Sequence, residues 1–132
     1  MTFSAARDSL NNRRDPTGGN SSYLSAELAG LTLGGDNNYF KLEGQTIQYF
    51  SLRGKLTYAL RGRMSFAGSF LGHELPFVER YRLGGERSVR GFENFAIGPL
   101  NQNGDNLGGN KEFLVNQEVI IPLADPLRVV LF

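Results

Sequence analysis

From Leu56 to Phe70 the chain alternates without a break. Leu56, Tyr58, Leu60, Gly62, Met64, Phe66, Gly68 and Phe70 fall on one face, and Thr57, Ala59, Arg61, Arg63, Ser65, Ala67 and Ser69 on the other. A repeat of two over this length predicts a β-strand and fits a helix poorly. At roughly 3.3 Å per residue such a strand is about 50 Å long. Tilted by about 40°, it still rises well beyond the ~25 Å apolar band of an outer-membrane barrel. Strands of soluble domains are typically only ~5–6 residues long, so an ordinary sandwich is a poor home for this one.

Weaker strands flank it. Ser22 to Leu33 sets Leu24, Ala26 and Leu28 against Tyr23, Ser25 and Glu27. Tyr39 to Phe50 sets Phe40, Leu42 and Phe50 against Lys41, Glu43, Gln45 and Tyr49, with Gln48 on the apolar side. Glu112 to Ile121 carries Phe113, Val115, Val119 and Ile121 opposite Asn116 and Glu118, while Thr2 to Asp8 and Leu127 to Phe132 read as shorter strands. Turn chemistry separates them at Asp15 to Gly19, Gly34 to Asn38, Ser51 to Lys55 and Pro122 to Pro126, and in a long connection from about Leu71 to Gly108. The expected fold class is all-β: an antiparallel up-and-down meander of about six strands without a substantial helix, curved but not closed.

Arg61 and Arg63 decide which face meets lipid. An arginine on the lipid side near the midplane costs about 2–4 kcal/mol, so both are expected to face the lumen together with Asn116. A slip of one residue would invert every side chain of the strand. The competing reading is a soluble sheet with two solvated arginines.

Composition narrows the classes further. The 132 residues include 17 glycines and no cysteine or tryptophan, and the formal net charge is +1. No disulfide framework or thiolate site is available, and a single histidine, His73, makes a histidine-rich metal site implausible. Acidic and basic residues are interspersed, without the basic patch that nucleic acid requires. No apolar run reaches the length of a transmembrane helix, and the polar first twenty residues carry no secretory signal. Neither observation bears on a barrel, whose strands have a much weaker hydropathy signal. His73 and Glu74 near Glu79 are read as ordinary loop residues rather than a catalytic or metal site. Neither catalysis nor a cofactor is expected.

The long connection carries the most specific signal. It reads PFVERYRLGGERSVRGFENFAIGP from Pro76 to Pro99, with Gly84-Gly85 ahead of Val89-Arg90-Gly91-Phe92. Long ordered connections are usually functional. With Pro76, Tyr81 and Leu83 at these spacings, the segment resembles the sixth extracellular loop of the BamA family. Members of that family are outer-membrane barrels that insert or translocate other proteins. Asp15-Pro16-Thr17-x-Gly19 and Gly108-Gly109-Asn110-Lys111-Glu112 resemble the family's turn before a middle strand and its strand start after the loop.

The resemblance implies a non-enzymatic outer-membrane protein assembly factor in the bacterial outer membrane. Membrane lipid, nascent outer-membrane proteins and, through periplasmic domains, accessory lipoproteins are the implied partners. It also implies that Arg90 folds back into the lumen and pairs with a wall carboxylate, here Glu118, with a further aspartate on the next strand beyond Phe132. A sequestered guanidinium needs such a partner, since an unpaired buried charge is very costly. The lack of a side chain at Gly91 is expected to permit a tight backbone and close approach. Residues 1–132 then form part of a C-terminal barrel domain, an internal piece of a longer protein. A two-partner secretion transporter is the alternative within the superfamily, and a soluble antiparallel binding module the alternative outside it.

Overall fold

The computed structural model describes residues 1–30, 38–72, 74–124 and 127–132. The expected turn at Gly34 to Asn38 falls largely outside these residues, as do His73 and the 125–126 part of the last turn.

Among the described residues the chain forms one six-stranded sheet in the order β1-β2-β3-β4-β5-β6. The strands are β1 (Thr2–Asp8), β2 (Gly19–Ala29), β3 (Tyr39–Ser51), β4 (Thr57–Ser69), β5 (Lys111–Ala124) and β6 (Leu127–Leu131). Every neighbouring pair is antiparallel, and the sheet is open, with β1 and β6 at its edges. Two single 3₁₀ turns, at Arg53–Lys55 and Phe77–Glu79, are the helical elements of the described residues. The expected all-β meander is therefore the observed fold.

Strand ends differ from expectation where turn residues proved compatible with a strand. β5 continues through Pro122 to Ala124, with a register shift between these two residues. Its ladder with β4 has already ended at Ile120, so this stretch pairs on one side alone. Proline lacks an N–H and is tolerated at such an edge or bulge. β2 begins at Gly19, earlier than the alternation of apolar residues indicated, because backbone pairing to β3 continues along its polar end.

The register sorts the side chains cleanly. Leu24, Leu42, Met64 and Phe113 lie on one face, and Tyr23, Glu43, Arg63 and Leu114 on the other. The first, outer face holds the large exposed apolar residues, with Phe113 72% and Met64 65% exposed. Phe40 closes part of this face by lying against Phe66, 5.6 Å between ring centroids, and over Gly68, where a Cβ would come within 2.7 Å of its ring. The second, inner face contains the buried Ser25, Thr57, Ala59, Ser65, Ala67, Glu112 and Leu114. The small buried cluster Tyr39, Ala67 and Leu75, with Ala29 and Tyr81 packed on it, joins the inner wall to the long connection. An apolar outside and a polar, loop-covered inside is the reverse of a soluble sheet and the arrangement of a barrel wall.

If Met64 faces hydrocarbon, Met64→Arg in the full-length protein should cost about 2–4 kcal/mol in urea unfolding from phospholipid bilayers. Unchanged stability would place that face in water.

Candidate functional site: the loop on the inner wall

The connection between β4 and β5 is held to the wall at its base. Ala67 N–H donates to Asn110 O at 2.8 Å, and Tyr81 and Gly109 exchange two backbone hydrogen bonds of 2.8 Å each. Leu83 and Ile97 exchange another pair, of 2.9 Å each, so the loop is itself a narrow ribbon. Side chains reinforce this root. Lys41 Nζ on β3 lies 3.2 Å from Glu79 Oε2 and 5.1 Å from the centre of the Tyr81 ring. Arg82 lies over the Phe77 ring at 3.9 Å and donates to Phe77 O at 3.0 Å. Burial, and then the nearby Glu43 carboxylate, push the Tyr81 phenol well above its ordinary value. Among the described residues this buried hydroxyl has no hydrogen-bond partner.

The tip is shaped by glycines at two places. Gly84 (φ +115°) and Gly85 (φ +90°) occupy conformations that side chains rarely adopt. A Cβ on Gly84 would also come within 2.2 Å of Glu93 O. The turn is locked by Ser88, whose Oγ accepts from Gly84 N–H and donates to Gly84 O, each at 2.8 Å. Gly91 differs from expectation. It also needs positive φ (+86°), yet nothing lies within 4 Å of the position its Cβ would take. Its requirement is the backbone bend and not a close approach.

This geometry aims Arg90 at the wall. Its Nη2 donates to Glu118 Oε1 on β5 at 2.6 Å, and the guanidinium lies 4.6 Å from the centre of the Phe132 ring. The two charged side chains are 28% and 18% exposed, so solvent screens the pair only in part. One step along β5, Asn116 Nδ2 donates to Ser88 O at 2.9 Å. Two wall residues on the same face thus grip the loop, one by charge and one by backbone recognition.

The remaining site residues of the sequence distribute as follows. Arg63 lies on the inner face with Nε 2.5 Å from Glu112 Oε1, an ion pair whose carboxylate is buried. Arg61 shares that face and borders a small recess lined also by Ile47, Tyr49, Ala59, Asn116 and Glu118, without an ion pair among the described residues. Val89 is half-buried and Phe92 is exposed. Glu74 lies 3.8 Å from Arg80. Ser88, Phe132 and the Lys41–Glu79 pair were not anticipated. Ser88 carries no motif of its own, and the other contacts depend on how the loop folds back over residues distant in sequence.

The fold and this site define a class of protein: a segment of an outer-membrane β-barrel wall with its longest loop folded against the inner face. The chain belongs to the Omp85 superfamily, whose domain model matches residues 1–132. It is 29% identical over 140 residues to a SAM50-like protein of Schizosaccharomyces pombe, an alignment covering 100% of this chain and 29% of that protein. It is 32% identical over 107 residues to the outer membrane protein assembly factor BamA of Neisseria meningitidis, covering 76% of this chain and 13% of that one. The crystal structure of BamA from Haemophilus ducreyi lacking POTRA domains 1–3 superposes with a TM-score of 0.83 at 33% identity, covering 92% of this chain and 25% of that chain. The chain thus spans less than a third of the length of these relatives.

Gly84→Ala in the full-length protein should cost at least about 1 kcal/mol of loop order, because an alanine cannot relieve both the positive φ and the clash with Glu93 O. Protease cleavage within the loop should accelerate roughly fivefold. Unchanged cleavage would show that the turn reorganises freely.

Proposed function

We propose that this chain is the middle-to-late wall of a C-terminal barrel domain in a bacterial outer-membrane protein assembly factor of the BamA type. Its long loop, about residues 71–108, starts from the extracellular side and plugs the lumen. The single observation that carries the reading is the Arg90–Glu118 pair, which joins the Val-Arg-Gly-Phe tip to the inner wall. The named activities of the BamA relatives support assembly of outer-membrane proteins as the activity of the full-length protein. Nascent outer-membrane proteins are its clients, and accessory lipoproteins its partners through periplasmic domains. Two open sheet edges agree with this, since unpaired strand edges are not tolerated in hydrocarbon and further strands must complete the barrel.

The role of the site is mechanical. No step of the reading needs a bond made or broken by the protein. Arg90 holds the loop in one position on the wall, and Gly84, Gly85 and Gly91 give the tip the bends that present it. Arg63 with Glu112 keeps a second wall position charged yet paired. Asn116 fixes the backbone beside Arg90, so the guanidinium meets Glu118 without a search.

A double-mutant cycle tests the pair in the full-length protein in membranes. Arg90→Ala and Glu118→Gln should each lower barrel stability on heating and impair client assembly. The double variant should be worse than either by less than their sum, with a coupling of about 1–3 kcal/mol. Additive effects would mean that the two side chains do not act together.

A further inference from the structure

The outer face is not uniformly apolar, and its polar residues are not scattered. The hydrogen-bonded row Arg7–Ser22–Thr46–Gly62–Val115 crosses five strands, from a cation on β1 to an exposed valine on β5. Beyond the next outer row, Ala5–Leu24–Gly44–Met64–Phe113, the order reverses: Phe3–Ala26–Leu42–Phe66 and then Lys111. If both rows lay level in a bilayer, each would put a cation at the depth of an apolar residue.

The hairpin ends explain the pattern. The β1–β2 hairpin stays hydrogen-bonded past Asp8, as far as Asn11 N–H to Gly18 O, and β2 begins at Gly19 opposite Tyr49, two residues before Ser51, where the β3–β4 ladder closes. The row that ends there reaches Ile120 on β5, and β5 runs four residues further, to Ala124. The ends therefore step down by between one and two residues per strand. With about 3.4 Å per residue and about 4.8 Å between strands, ends at one height require a tilt of roughly 45°, within the range of transmembrane barrels.

From this we infer that Arg7 and Lys111 mark the two headgroup layers of the bilayer, with the hydrocarbon band crossing the sheet obliquely between them. On this tilt each step along a row rises about 3.4 Å and each residue along a strand about 2.4 Å. Going from Arg7 to Phe3 and then along its row to Lys111 gives a height of about 23 Å, close to the ~25 Å apolar band of such barrels. The side chains on the short-turn side agree. Asn20 Nδ2 donates to Thr46 Oγ1 at 2.9 Å, Ser22 Oγ donates to Asn20 Oδ1 at 2.7 Å, and Gln48 Nε2 donates to Gly19 O at 3.0 Å. Polar groups at the edge of hydrocarbon are tolerated when they satisfy one another. At the other boundary Lys111 extends over the Phe66 ring, its Nζ 5.4 Å from the centre, which lets the stem lie on apolar surface while the charge reaches water.

The inference rests on the barrel reading and is tested by depth, which is independent of assembly activity. This chain has no cysteine. In the full-length protein, with any cysteines elsewhere replaced, nitroxides are placed by Ser22→Cys, Val115→Cys and Lys111→Cys in phospholipid vesicles. Heat-modifiability confirms folding, and collision with oxygen is compared with collision with a water-soluble nickel complex. The Val115 label should lie about 10 Å further into the bilayer than the Ser22 label, although the two share a row. The Lys111 label should be shallow, on the opposite side. If Ser22→Cys fails to fold, Thr46→Cys replaces it, with an expected difference of about 7 Å. Equal depths for the two labels in a row, or a deep Lys111 label, would overturn the inference while leaving the assembly reading untouched.

Discussion

In hydrocarbon, every backbone N–H and C=O must find a partner within the protein, and the rest of this structure depends on that constraint. The chain meets it with a ladder of antiparallel strands, each hydrogen-bonded to the next in order. Once the backbone is committed to a ladder, successive side chains must point to opposite sides. The outside then has to be apolar, and the inside is free to carry charge. Met64 and Phe113 are exposed for this reason, whereas Arg63 and Glu112, on the opposite face, form an ion pair.

That freedom has a consequence for the loop. A wall that carries carboxylates offers fixed anchors to anything folded against it, and each anchor is stable only when its charge is matched. Glu118 meets Arg90, and Lys41 on the wall meets Glu79 at the loop's root. The loop is thus pinned at both its base and its tip. Phe132 adds an aromatic face beside the guanidinium, an arrangement favourable to a planar cation that keeps a carboxylate on its edge. Arginine suits this position better than lysine, because a planar fork can meet the carboxylate and the ring together.

The glycines complete the mechanics from the side of the backbone. At Gly84 the limit is double, a positive φ and a carbonyl oxygen in the way, whereas at Gly91 it is the bend alone. These positions let a long loop reverse within a few residues and still return Ser88 to seal the turn. A rigid tip loses little freedom when it docks, so most of the energy of the wall contacts is available to hold it there.

Much of this was legible in the order of residues. Alternation from Leu56 to Phe70 determined the strand, its faces and the side on which Arg61 and Arg63 lie, because a period of two leaves no other choice. Glycine and proline clusters located most of the turns, and the family resemblance carried by the residues around Arg90 implied Glu118 as its partner. Pairing with a neighbour decided where strands stop, and so β5 passes through Pro122 and β2 starts at Gly19. The contacts of Ser88, Asn116 and Phe132 required the folded loop, since each joins groups that only chain reversal brings within hydrogen-bond or ring contact. The tilt of the apolar band came from register alone: a sequence states which residues share a face, but not which residues on different strands share a height.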